Sequence, residues 1–356
     1  MYPFRGDCFA VENGWYVASF AKDLTHSLQA KWILKKPVAL YRDSTGRPIA
    51  LHGLCPHRHF PLGESQLRSD EVVCGYHGIR FDGHGTCTHI PGQQDIPESF
   101  NIRTYPVVEH GMWIWIWMGD PALADASHIL DFFWHDSPQW AMKPGYIHYQ
   151  ANYQLIVDNL LDFTHLAWVH PTTLGSGSEA KLKPEIRRDD AGAGMISIDR
   201  WYLDDEMPPM HKKFAKFSGK VDRWQLYQWV PPGFLRMDAG SAPVDTGAPE
   251  GKRTDQALQF RHTSIQTPET ESTSHYWFCQ ARNFELDDSQ LTDAIFDSVV
   301  EAFEEDRAII EAQQRNMHLV GDRMMIPIAA DAALNQARAL VNRLLDHERS
   351  SPSAVG

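Results

Sequence analysis

From Trp15 to about Trp117 the chain runs in short apolar stretches separated by turn signals, among them Asp43-Ser44-Thr45-Gly46, Asp82-Gly83-His84-Gly85 and Pro91-Gly92. Such spacing predicts a small antiparallel β domain. The stretch Met112 to Met118, carrying Trp113, Trp115 and Trp117, is apolar throughout. It predicts a strand buried on both faces, with the tryptophans as core. Residues 119 to 140, opening on Gly119-Asp120-Pro121, keep no period and read as a connection, which puts a boundary near 140.

Beyond the boundary a helix is expected over Tyr153 to Val169, stopped by Pro171 after His170, because proline removes a helical donor and clashes with the preceding turn. Strand patterns follow at Trp224 to Val230, Leu258 to Ile265 and His275 to Ala281, the last two joined by Thr267-Pro268-Glu269-Thr270. A long helix is expected over Leu291 to Met317 and another over Asp331 to His347, with Ser350 to Gly356 as a disordered tail. Gly175-Ser176-Gly177-Ser178 and Ala191-Gly192-Ala193-Gly194 bracket a polar stretch that reads either as a mobile lid or as plain connection. The chain reads as α+β with two domains, residues 1–140 and 141–356, since 356 residues exceed a comfortable single core.

Charge narrows the function. A net charge of −13 with no long basic run argues against nucleic acid and anionic membrane surfaces as partners. Met112 to Met118 is too short to cross a bilayer and the N-terminus lacks a basic-then-apolar leader, so a cytoplasmic protein is expected. Five cysteines, Cys8, Cys55, Cys74, Cys87 and Cys279, do not make the framework of a disulfide-stapled domain.

Two of those cysteines stand beside histidines. Cys55-Pro56-His57 and Cys74-Gly75-Tyr76-His77 are separated by sixteen residues, each in a turn-rich loop. Zinc accepts such ligands, but zinc modules usually pair Cys-x-x-Cys with later ligands. One cysteine and one histidine per loop instead suits a [2Fe–2S] cluster with two thiolates on one iron and two imidazoles on the other. Neutral imidazoles remove negative charge and raise the reduction potential.

A second constellation lies between Asp158 and His170. Asp158, Asp162 and His165 are spaced i, i+4 and i+7, on one face of a helix. His170 follows His165 by five residues, about 140° around a helix, so it reaches the same point only through a π-bulge or from the helix end. Two histidines and a carboxylate form the facial triad of Fe(II) oxygenases, with positions open for O2 and substrate. The carboxylate is expected from the apolar stripe Ile295, Phe296, Val299, Phe303, Asp306 and Ile310, where Asp306 sits on the stripe and Glu304 and Glu305 fall off it as solvated charges. Without a metal, Asp306 would be a core-edge aspartate paired with an arginine.

Together with Pro61-Leu62-Gly63, Thr267-Pro268-Glu269 and Ala281-Arg282-Asn283-Phe284, these segments make the chain resemble the oxygenase subunits of Rieske non-haem iron aromatic oxygenases over nearly its whole length. Within them it is most similar to the vanillate O-demethylase and dicamba monooxygenase group. It departs from the commoner pattern at His59, where many relatives have glycine.

The resemblance implies a Rieske β domain on Cys55, His57, Cys74 and His77, then a helix-grip catalytic domain with iron on His165, His170 and Asp306. It also implies a homotrimer in which the cluster of one subunit faces the iron of its neighbour, Asp162 bridging His77 of the partner subunit to His165. Electrons would come from NADH or NADPH through a separate flavin and iron–sulfur reductase, since no Gly-x-Gly-x-x-Gly nucleotide loop is present. The expected reaction is O2-dependent O-demethylation of a vanillate-like methoxylated aromatic acid with release of formaldehyde. Hydroxylation of an aryl methyl group or a ring is the alternative, and an electron carrier without oxygenase activity is a third. Asn159, Arg236 and Ser264 are candidate substrate contacts, Arg236 for a bidentate carboxylate pair.

Overall fold

The protein is described by a computed structural model that covers residues 9–252, 256–321 and 325–350. Cys8 and nearly all of the expected tail, Ser350 to Gly356, lie outside the described residues. The chain divides into two compact units. One holds residues 10–130 with 267–271, and the other residues 131–266 with 272–349.

The first unit is built from β1 (Trp15–Phe20), β2 (Gln29–Ile33), β3 (Lys36–Arg42), β4 (Pro48–His52), β5 (Gln66–Arg68), β6 (Glu71–Val73), β7 (Arg80–Phe81), β8 (Cys87–His89), β9 (Val107–His110) and β10 (Trp113–Trp117). They form three small sheets, ordered β1-β10-β9, β2-β3-β4 and β5-β6-β7-β8, with antiparallel pairing as the turn spacing predicts. Strand β10 is buried at every position between β1 and β9, which is why it can be apolar on both faces. The core under the cysteine loops gathers Tyr41, Leu51, Leu62, Val72 and Phe81 around Cys55 and Cys74.

The second unit contains β11 (Ala141–Tyr149), α1 (Tyr153–Leu161), α2 (Leu166–Val169), β12 (Glu185–Asp189), β13 (Met195–Asp205), α3 (Pro209–Phe214), β14 (Val221–Val230), β15 (Phe234–Pro243), β16 (Leu258–Pro268), β17 (Ser274–Arg282), α4 (Ser289–Val320) and α5 (Ala332–Ser350). Its strands make one seven-stranded sheet, ordered β11-β17-β16-β15-β14-β13-β12. Helix α4 buries Ile295, Val299, Phe303, Asp306 and Ile310, the stripe expected from its period. Phe296 stacks on Phe278 of β17 at 5.6 Å, and Phe303 meets the same ring edge-on at 5.0 Å.

Two expectations are corrected. The helix predicted over Tyr153 to Val169 is interrupted: α1 ends at Leu161, Asp162 is extended (φ −120°, ψ 99°), and a 3-10 turn at Phe163–His165 leads into α2. Asp162 breaks the helix because its carboxylate accepts the Thr164 N–H at 2.9 Å, a local bond that competes with helical pairing. The polar stretch between the two glycine-rich segments also holds a strand, β12, paired with β13 over Glu185–Asp189. Its exposed residues hid it, as befits an edge strand.

Candidate metal centres and the cavity beside them

The two cysteine loops are built alike. Cys55 N–H donates to Phe60 O (3.0 Å) and His59 N–H to Cys55 O (2.8 Å), while Cys74 N–H donates to Ile79 O (2.8 Å) and Gly78 N–H to Cys74 O (2.9 Å). The fifth residue of each loop is left-handed, with φ 54° at His59 and 73° at Gly78. His59 therefore departs from glycine at the position where glycine costs least, a strain of about 1 kcal/mol for a side-chain-bearing residue.

The loops bury Cys55 and Cys74 and expose His57 and His77, whose ring centroids lie 4.4 Å apart. Burial, and the neighbouring Cys74 thiol, push the Cys55 thiol up to about 11. Such a thiol is a poor acid by itself, and iron in place of its proton removes that penalty. The donor set fits a cluster whose thiolate iron is inside and whose imidazole iron faces out.

The second site forms where the broken helix meets α4. His165, His170 and Asp306 each offer one ligand atom, and these atoms lie within 4.8 Å of one another. His170 Nε2 is 3.0 Å and His165 Nε2 3.5 Å from Asp306 Oδ1. Their other ring nitrogens point away and are held: His170 Nδ1 donates to Glu305 Oε2 at 2.6 Å, and His165 Nδ1 to the Asp162 carbonyl. Fixing Nδ1 as the donor leaves both Nε2 lone pairs aimed at one point, as metal-ligating imidazoles require. Burial raises the Asp306 carboxyl, but the imidazole hydrogen bonds outweigh it and hold it at about 2. Two imidazole nitrogens and a carboxylate oxygen gathered at one point are a donor set that fits a divalent ion.

Several sequence expectations change here. Glu305 is not a solvated charge. It is half-buried, and one oxygen accepts from both His170 Nδ1 and Thr173 Oγ1 (3.1 Å). Sequence spacing missed it because a residue off the apolar stripe still faces an element packed beside the helix. Asp158 does not share a face with Asp162 and His165, since the helix ends between them. It pairs with Arg338 of α5. The Asp162 carboxylate does not reach His165, whose Nδ1 is taken by the backbone carbonyl of the same residue.

A cavity lined by His165 and Asp306 opens beside the triad. Its wall is mainly apolar, with Leu160, Phe163, Met237, Phe260, Val299 and Phe303. Asn159 lines it and donates from Nδ2 to Asp306 Oδ1 at 3.0 Å, so this candidate stands at the triad. Arg236 does not line it. Strand alternation turns Arg236 to the opposite face of β15 from Leu235 and Met237, where it donates to Gln228 Oε1 (2.8 Å) and the Asp131 carbonyl (3.1 Å). Ser264 is fully buried one layer back, holding His262 Nε2 at 2.8 Å, and it is His262 that lines the cavity.

Residues 14–106 match the Rieske [2Fe-2S] domain family, and residues 149–347 match the family described as the vanillate O-demethylase oxygenase C-terminal domain. The chain belongs to the Rieske non-haem iron oxygenases. This oxygenase is 60% identical, over 95% of its chain and 98% of the relative, to the iron–sulfur subunit of the toluene-4-sulfonate monooxygenase system of Comamonas testosteroni. It is 35% identical, over 93% and 96%, to the oxygenase component of dicamba O-demethylase of Stenotrophomonas maltophilia. The crystal structure of dicamba monooxygenase bound to dicamba superposes with a TM-score of 0.83 at 33% identity, covering 96% of this chain and 99% of that one. The cofactors of this oxygenase are therefore a [2Fe–2S] cluster and a mononuclear iron. As the oxygenase component of a multicomponent system it takes electrons from a separate reductase. Among the described residues no helix is long and apolar enough to cross a membrane.

Proposed function

We propose that this oxygenase inserts one oxygen atom into the methyl group of a small aromatic acid. The observation that carries the reading is the cavity: a largely apolar space that reaches His165 and Asp306 of the triad. The balance is one methyl arene, O2, NAD(P)H and a proton giving the aryl methanol, water and NAD(P)+. The relative at 60% identity, whose name gives toluene-4-sulfonate as substrate, favours a methyl group over a methoxy group as the target. O-demethylation is the second reading, favoured by the dicamba and vanillate demethylases at 35% and 31% identity.

In this reading Cys55, His57, Cys74 and His77 hold the cluster and His165, His170 and Asp306 hold the iron. Bound there, iron activates O2 with electrons delivered by the cluster. Asn159 keeps Asp306 turned to its ligating position by the Nδ2 hydrogen bond. Glu305 and the Asp162 carbonyl keep the protons of His170 and His165 on Nδ1. The subunits assemble as a homotrimer, and the carboxylate of Asp162 meets His77 of the partner subunit. Exposed aromatics beside both sites, Tyr76 at 54% and Trp168 at 82%, support a contact surface there.

The test is anaerobic reconstitution with a surrogate flavin and iron–sulfur reductase, then O2 and either toluene-4-sulfonate or 4-methoxybenzoate. An aryl methanol from the former, without formaldehyde, supports methyl oxidation. Formaldehyde from the methoxy acid, with the methyl acid untouched, overturns it in favour of demethylation.

A further inference from the structure

Away from the triad the cavity wall carries N–H groups that the protein leaves unused. His211 of α3 pairs through Nδ1 with Ser241 Oγ at 2.7 Å and packs against the Phe260 ring at 5.1 Å, leaving Nε2 to the cavity. Gln225 accepts the Tyr202 hydroxyl on Oε1 at 3.0 Å, which leaves its amide N–H groups. Arg223 is buried and commits Nε to Asp205 (2.9 Å) and Nη2 to Glu179 (2.8 Å) and Ser176 (2.5 Å), which leaves Nη1.

These three residues are neighbours in the cavity wall. Arg223 is in register with Ser241, which holds His211, and Gln225 is in register with the adjacent pocket-facing Ala239. Ser241 is four positions along β15 from Met237, roughly 13 Å at strand rise. Met237 is opposite His262, whose ring meets Phe303, three residues before Asp306 on α4. The donors thus stand well along the cavity from the triad, the arrangement that a benzene ring with para substituents needs.

Their chemistry selects among acids. Burial, then the Arg223 charge, hold His211 down at about 3, so it is a neutral donor when Ser241 donates to Nδ1. Arg223 already faces two carboxylates and has only one guanidinium nitrogen left, so it cannot offer the two-pronged fork that a carboxylate prefers. A compact carboxylate charge would also lie near Glu179 and Asp205. A sulfonate spreads its charge over three oxygens and can take one donor on each.

Resting on the methyl-oxidation reading above, we propose that His211 Nε2, Gln225 Nε2 and Arg223 Nη1 receive the three oxygens of an aryl sulfonate and make this oxygenase prefer it to the aryl carboxylate. His211 and Gln225 are the specificity-determining residues, because Arg223 also holds the fold together through Glu179 and Asp205.

The test is calorimetric titration of the anaerobic holoenzyme with toluene-4-sulfonate, 4-methylbenzoate and p-xylene, for the wild type, His211→Leu and Gln225→Leu. The wild type is expected to bind the sulfonate about tenfold or more tightly than the carboxylate. Each variant should weaken sulfonate binding by roughly tenfold or more, the worth of one hydrogen bond to a charged group. The affinity for p-xylene, which lacks the acid, should stay within about twofold, since no such bond is lost. Sulfonate affinity unchanged in both variants overturns the assignment, as does a parallel loss of p-xylene in both. If the wild type oxidises aryl methyl groups while the variants bind sulfonate as it does, this assignment falls and methyl oxidation stands. If the wild type only demethylates methoxy acids, methyl oxidation falls, and the sulfonate-to-p-xylene comparison still decides the donors.

Discussion

Replacing Glu305 by alanine should loosen the mononuclear iron while leaving the cluster intact. In the protein one Glu305 oxygen accepts from His170 Nδ1 at 2.6 Å and from Thr173 Oγ1 at 3.1 Å. Alanine removes both bonds, so the imidazole loses the partner that fixes its tautomer and ring angle. Loss of such an outer partner costs about 10- to 100-fold in metal affinity, or about 1.4 to 2.7 kcal/mol. Glutamine keeps an oxygen acceptor but not the charge, and should fall between alanine and the wild type. The assay is iron per chain after dialysis against graded chelator, with the cluster absorbance as an internal standard. At a chelator level where the wild type keeps about three irons, Glu305→Ala should keep about two. An alanine variant that holds its third iron as firmly as the wild type would refute the reasoning.

Three further outcomes are expected. Asp162→Asn should keep both metals yet lose most product formation, because an amide oxygen can still cap the Thr164 N–H while the charge is gone; full iron content with wild-type turnover would contradict the bridging role. His59→Gly should raise stability by about 1 kcal/mol, seen as a higher midpoint of thermal unfolding, since the left-handed conformation at φ 54° no longer carries a side chain. The third concerns pH. Burial lowers the His170 pKa, but Asp306 and Glu305 outweigh it and raise it above the ordinary 6.5. The metal-free site therefore keeps a proton on His170 that is lost as pH rises through the raised value. Fe(II) must displace that proton, so its affinity should climb with pH above 6.5. A titration with equal affinity at both ends of that range would rule this out.

The cluster loops were legible because their information is local: ligand types, spacing and turns all fall within residues 55 to 78. Asp306 was legible for a different reason, since an acid on an otherwise apolar helical stripe must meet a partner, and period alone reveals the stripe. Glu305 was not. Its partner is on a loop 135 residues earlier, and nothing in the α4 sequence says which element covers that edge. Arg236 failed for a simpler reason. Near a cavity, a strand offers every second residue to it, and the register that put Met237 inside put Arg236 outside.

The break in the helix before His165 explains why the iron site needs so few residues. In an uninterrupted helix the Asp162 carbonyl would accept the Leu166 N–H four residues on. Here the Leu166 N–H turns to the Phe163 carbonyl instead, in the tighter 3-10 pattern, and the Asp162 carbonyl is released to His165 Nδ1. One peptide group thus performs the tautomer-fixing task that a separate carboxylate performs for His170. The consequence for Asp162 is that its side chain is not needed at His165. Oδ1 caps the following turn, and Oδ2 has no partner within the described chain. A carboxylate held by one oxygen, half-buried and beside an iron ligand, leaves its other oxygen open to a further donor. In the proposed trimer that donor would be His77 of the partner subunit, which would place the coupling of the two centres at the interface between subunits.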